Sequence, residues 1–185
     1  AAAYEIIEQA KANDHIDILV LGALTNVASA VYISPEIASK IEVYWLGTTI
    51  DFETGVLKRN DFNPMMDPYA VDYLLDSQVT MHILPVSVAT AMQIDFDQMN
   101  STIGSHFLGQ HLMKRWIDHI DGARRKRVLW DLALIAIFID PDMATTRSIK
   151  TSRDSGNRII SFYDSIDADA IYRDFYKTLL AFKRE

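Results

Sequence analysis

Three short, almost unbroken apolar runs limit what this chain can become: Ile16 to Leu21 (IDILVL), Glu42 to Leu46 (EVYWL) and Val79 to Leu84 (VTMHIL). A strand with one wet face alternates apolar and polar residues, whereas a near-continuous apolar strand is covered on both faces, as in parallel sheets. Parallel neighbours need long crossovers, and the segments between these runs carry helical signals. The order helix, strand, helix, strand, helix, strand predicts an α/β fold with a parallel sheet flanked by helices and right-handed crossovers.

The connecting segments fill in that plan. Ala1 to Ala12 places Tyr4 and Ile7 at helical spacing, so the chain opens inside a helix and without a methionine. A short helix is expected over Val27 to Tyr32, and a second from Pro35 with Ser34 as its cap. Gly47 to Met66 is expected as a long polar connection, a feature more often functional than not when it occurs in a compact domain. Asp67 should cap a helix that Pro68 opens and that runs to about Asp76. Thr102 to Ile120 reads as one long helix and Val128 to Ile139 as a strongly apolar one. Ala144 to Thr151 and Arg158 to Tyr163 form a hairpin around Ser155-Gly156-Asn157, which makes the sheet mixed. Ala168 to Lys183 closes the chain as an amphipathic helix. Residues 1–185 read as a single domain, incomplete at its amino end.

Composition narrows the function. A net charge of −7 argues against a broad nucleic-acid-binding face, and the RRKR run at Arg124 to Arg127 is expected as a solvated loop. There are no cysteines, hence no disulfide framework and no thiolate zinc site. No apolar run reaches the roughly 18 residues that span a membrane. The compartment is not readable, with the cytoplasm slightly favoured. The five histidines form no HExxH or His-x-His pattern and read as structural or surface residues. There is no GxSxG elbow, no phosphate loop and no GxGxxG.

Three places hold candidate chemistry. Arg59 to Leu75 crowds Asn60, Asp61 and Asn63 ahead of Asp67-Pro68. Such a loop suits the gripping of a small polyhydroxylated ligand, and it equally suits a plain turn before a helix. Asp131 sits among Leu132, Leu134, Ile135 and Ile137, where a buried carboxylate costs several kcal/mol, roughly, unless it is paired or bound to a cation. It reads either as a cap or ion-pair partner of the RRKR run, or as a ligand of a hard cation such as Ca²⁺. Thr25-Asn26 directly follows a strand, at the carboxyl edge where α/β proteins bind ligands.

Taken together, three stretches resemble the nucleoside hydrolases of the inosine/uridine-preferring type. LGALTNVASA (Leu21 to Ala30) is similar to the family's LGPLTNxAxA turn and helix. DFNPMMDPYA (Asp61 to Ala70) is similar to its EFNxxxDPxA segment. WDLA (Trp130 to Ala133), followed by Asp140-Pro141, resembles its HDPLA helix and exit, and EVYWLG looks like the strand ending in MGG. The resemblance implies hydrolysis of the N-glycosidic bond of a ribonucleoside by a Ca²⁺-activated water. It implies Asp131 as a side-chain ligand of the Ca²⁺, Thr25 as a backbone-carbonyl ligand, and Asp61 and Asn63 as holders of ribose hydroxyls. The implied partner is a small nucleoside or related N-glycoside; a homo-oligomer is left open, and neither nucleic acid nor membrane is implied.

The departures carry their own expectations. Nothing in Ala1 to Ile41 resembles the family's DxDxxxDD cluster, which supplies most calcium carboxylates and the general base. No catalytic base is identifiable, and the chain alone is not expected to hydrolyse nucleosides. Trp130 stands where the family has a leaving-group histidine, and could stack on a base or belong to the core. Asp61 replaces Glu, and Thr54 or Gly55 falls where a ribose-binding Asn is usual, with Asn60 as a substitute. The alternative reading is a non-catalytic relative that binds a nucleoside or sugar, or serves as a structural subunit.

Overall fold

The computed structural model describes residues 1–183. Its centre is a five-stranded sheet built from β1 (Ile16–Val20), β2 (Ile41–Leu46), β5 (Thr80–Leu84), β9 (Ile159–Ile166) and β8 (Ala144–Lys150), in that spatial order. The pairs β1–β2, β2–β5 and β5–β9 are parallel, and β8–β9 is antiparallel. This is the α/β, mixed and mostly parallel sheet that the three apolar runs imply. β1 forms one edge of the sheet, and most of its residues are only half-covered.

Side-chain alternation sorts the core into two layers. One face presents Val43, Trp45, Met81, Ile83 and Phe162 to α1 (Ala2–Ala12), α2 (Thr25–Ile33) and α4 (Pro68–Asp76). The other presents Leu46, Leu84 and Tyr163 to α5 (Val86–Ala89), α8 (Trp130–Ile139) and α9 (Ala168–Ala181). A third cluster, around Ile94, Met99, Ile103, Met113 and Trp116, joins α6 (Phe96–Ile103) and α7 (Phe107–Asp118) to α9.

Several local expectations change. Gly47 to Met66 is not an open connection, for it folds into a hairpin of β3 (Thr49–Asp51) and β4 (Val56–Lys58) and the short helix α3 (Phe62–Met66). The apolar positions Ile50 and Leu57 are buried in that hairpin, which its short alternating pattern hid. Ser34 makes no capping bond, and Pro35–Ser39 is a 3-10 turn rather than an α-helix. The helix expected over 102–120 breaks between Ile103 and Phe107. There α7 packs so closely on the end of α6 that a Cβ at Gly109 would stand 1.8 Å from the Ile103 carbonyl oxygen. Finally, Val128 belongs to β7 (Lys126–Val128), which pairs antiparallel with β6 (Gln93–Asp95), and α8 begins only at Trp130.

The RRKR run is fastened down rather than merely solvated. Arg125 pairs with Asp97 and lies 4.7 Å over the Phe96 ring. Arg127 pairs with Asp121 and lies 5.3 Å from the Trp116 ring.

Candidate functional site

The carboxyl ends of β1, β2 and β5 open into a cavity of about 360 Å³, lined by Leu21, Leu46, Asp61, Phe62, Asn63, Val86, Trp130 and Asp131. Parallel strands direct their carboxyl ends to the same side, so the segments leaving them converge there. Leu21 follows β1, Leu46 ends β2 and Val86 follows β5. Four of the residues singled out in the sequence, Asp61, Asn63, Trp130 and Asp131, meet in this one space although two chain segments supply them.

Asn63 is the brace of the site. Its side-chain amide donates to the carbonyl of Leu46 at 2.7 Å and to that of Leu21 at 3.2 Å, tying α3 to the ends of two strands. Its Oδ1 is left to accept. Asp61 precedes α3, yet its carboxylate makes no capping bond to the helix. Phe62 is 71% exposed and forms an apolar rim.

Asp131 enters from the first turn of α8, where the position before the helix is Leu129; Asp131 is therefore not the cap. It is also not paired with the RRKR run, whose arginines Arg124, Arg125 and Arg127 engage Asp121 and Asp97 instead. Nor is it deeply buried, for it counts among the exposed residues. Its surroundings still withhold enough water to raise its pKa above the ordinary carboxylate value. A carboxylate with that environment and, among the described residues, no ion-pair partner is suited to a cation or a hydroxyl donor. Trp130, 37% exposed, stands between this cavity and two shallower grooves.

Two sequence candidates lie elsewhere. Asn60 is exposed and outside the cavity lining. Thr25 starts α2, and its hydroxyl donates to Asp67 at 2.6 Å beside a separate groove that also holds Tyr32, Tyr69 and Tyr73. Asp67 also accepts from the Ala70 amide at 3.0 Å, as a helix cap should. The Thr25 hydroxyl, followed by that amide, holds the Asp67 carboxyl below its usual value of 3.8. A lowered carboxylate pKa stabilises the fold above the unfolded value and loses that contribution as pH falls through the folded one. Asp67→Ala should cost about 1 kcal/mol at pH 7, or about 3 °C in melting temperature. Thermal denaturation across pH should show the gap to wild type closing below about pH 4; a gap independent of pH would contradict the ionic origin.

The turns that shape the cavity floor rest on Trp45. Its indole N–H donates to the Gly22 carbonyl at 2.9 Å, and a Cβ at Gly47 would come within 2.4 Å of its ring. The next residue, Thr48, is buried at φ 63°, a conformation that costs a β-branched residue energy. Thr48 is held there by its hydroxyl, which donates to the Lys58 carbonyl at 2.6 Å, and by the Val86 amide, which donates to its carbonyl at 2.9 Å. The sequence reading missed Leu21, Leu46, Phe62 and Val86 as lining residues. Their place at strand ends was the available signal.

The chain is thus an α/β protein with an acid-and-amide cavity at the carboxyl edge of its sheet. Solved nucleoside hydrolases share this fold. The inosine-uridine preferring nucleoside hydrolase from Bacillus anthracis superposes with a TM-score of 0.72 over 96% of this chain and 64% of its own, at 21% identity. A purine-preferring ribonucleoside hydrolase from Gardnerella vaginalis gives 0.75 over 97% and 65%, at 18% identity. A plant nucleoside hydrolase gives 0.74 over 97% and 67%, at 17% identity. The chain thus spans about two thirds of the length of these structures. No curated protein sequence matches it. The profile of the inosine-uridine preferring nucleoside hydrolases matches residues 1–172, and the chain belongs to that family.

Proposed function

We propose that this chain contributes to a nucleoside hydrolase-like N-glycosidase, which cleaves the N-glycosidic bond of ribonucleosides. The observation that carries the reading is the convergence of Asp61, Asn63, Trp130 and Asp131 on one sugar-sized cavity. Asn63 Oδ1 and the Asp61 carboxylate accept hydrogen bonds from sugar hydroxyls, and the Trp130 ring offers a face for a base. As the glycosidic bond breaks, positive charge develops on the sugar, and carboxylates fixed nearby lower the barrier by meeting that charge.

Family membership implies calcium, which would polarise the sugar hydroxyls and activate a water when bound. Asp131 fits that ion by chemistry, being an oxygen donor without a basic partner. The number of donors does not fit, because Ca²⁺ takes about six to eight oxygens. Among the described residues no group of three metal-ligand side chains forms around Asp131. The described residues therefore do not complete a calcium site, and no step is assigned to the ion.

The test belongs to the full-length gene product. Asp131→Ala is expected to abolish calcium binding in calorimetry and inosine or uridine hydrolysis with it. Unchanged calcium affinity would overturn the assignment of Asp131. A second reading, a relative that binds a nucleoside or sugar without cleaving it, is favoured by Trp130 at the place of a proton-donating histidine. Saturable nucleoside binding by the wild-type protein with no release of base would select it.

A further inference from the structure

A second group of chemically active side chains lies at the opposite end of the sheet. Asp17 is the second residue of β1 and Glu42 the second of β2, about 13 Å from the cavity at about 3.3 Å per residue. The register pairs them directly, on one face of two parallel strands. Like charges placed opposite each other on a sheet are destabilising unless something neutralises them. Among the described residues, their only ion-pair partners are histidines. His15 Nε2 lies 3.0 Å from Asp17 Oδ1, and His82 Nε2 lies 3.2 Å from Glu42 Oε2. An imidazole offsets a carboxylate only when protonated.

The donor atoms of His15, Asp17 and Glu42 all lie within 4.8 Å of one another. Tetrahedral ligands at about 2.0–2.1 Å from one zinc ion stand about 3.4 Å apart, close to the 3.0 Å between His15 and Asp17. The His82 ring is already set in orientation, stacked on Tyr44 at 4.5 Å with its plane tilted by 8°. The Tyr44 hydroxyl donates to Glu42 Oε2 at 3.2 Å. Outer hydrogen bonds of this kind orient carboxylate ligands.

We propose that His15, Asp17 and Glu42 form a binding site for a divalent transition metal of the zinc type at the amino-terminal edge of the sheet, with His82 holding Glu42 from outside the ligand set. One imidazole and two carboxylates make a mixed nitrogen and oxygen set. That set suits zinc, whereas calcium takes oxygen alone. The site is separate from the cavity and independent of the proposed glycosidase activity. It ties β1, the edge strand, to its neighbour β2.

The experiment is a Zn²⁺ titration of the chelator-treated, tag-free chain by calorimetry. One equivalent should bind, and excess Ca²⁺ should not displace it. His15→Ala, Glu42→Gln and His82→Gln should each weaken binding about 10-fold or more, and His111→Ala should leave it unchanged. Circular dichroism of each metal-free variant checks that the fold is intact. Co²⁺ in place of Zn²⁺ should give the strong visible absorption of a four-coordinate ion. Absence of binding, binding unaltered in all three site variants, or the weak spectrum of a six-coordinate ion would each overturn the proposal.

Discussion

Trp45→Ala should unfold much of what shapes the cavity. Trp45 is wholly buried beneath the sheet, and truncating such a residue costs about 3–5 kcal/mol in lost burial and cavity formation. The indole also donates to the Gly22 carbonyl, and leaving that oxygen unpaired adds about 1–3 kcal/mol. At about 2–4 °C per kcal/mol for a chain of this size, the melting temperature should fall by about 10 °C or more. Trp45→Phe separates the two effects, because it keeps most of the ring and loses only the donor. The phenylalanine variant should recover more than half of the loss in thermal denaturation. Equal damage from both substitutions would mean that the hydrogen bond, not the packing, holds the two turns.

Arg158→Ala is the second large effect, and it acts far from the cavity. From the start of the β8–β9 hairpin, the guanidinium donates to the Ser77 carbonyl at 2.5 Å and to the Val79 carbonyl at 2.6 Å. It thereby fastens the hairpin to the chain entering β5. Partial burial lowers its pKa from the usual arginine value, and a guanidinium stays charged in proteins. Hydrogen bonds from a charged group contribute about 1.5–3 kcal/mol each, so losing both should cost about 3 kcal/mol. Arg158→Lys keeps the charge but cannot fork to two carbonyls, and should recover less than half. Chemical denaturation gives both numbers. Full recovery by lysine would show that charge alone matters there.

The parts of this fold that the sequence announces are those with one dominant physical signal. IDILVL, EVYWL and VTMHIL read as doubly covered strands; all three are strands, but β1, at the edge of the sheet, has no fully buried residue. Asp67-Pro68 could be read as a cap because the carboxylate and the proline belong at adjacent helix-start positions. The failures share a different cause, which is tertiary contact. Nothing local in 102–120 says that Gly109 must lie against the Ile103 carbonyl, so one helix was expected where two pack. The burial of Asp131 was overestimated for a related reason. An apolar helix facing an open cavity looks, in sequence, like one inside a core, although Ile135 and Ile139 are 37% and 73% exposed. The site was legible in Asp61, Asn63, Trp130 and Asp131 through the family motifs. It was illegible in Leu21, Leu46, Phe62 and Val86, whose only qualification is where the strands end.

Asn63 gives the polar loop a mechanical character. Because its amide holds the carbonyl that ends β2 and the one just beyond β1, lifting this loop away would break two part-buried hydrogen bonds at about 1 kcal/mol each. A lid that opens on every encounter is not built that way. The segment from Asp61 to Met66, Phe62 included, is a fixed wall of the cavity.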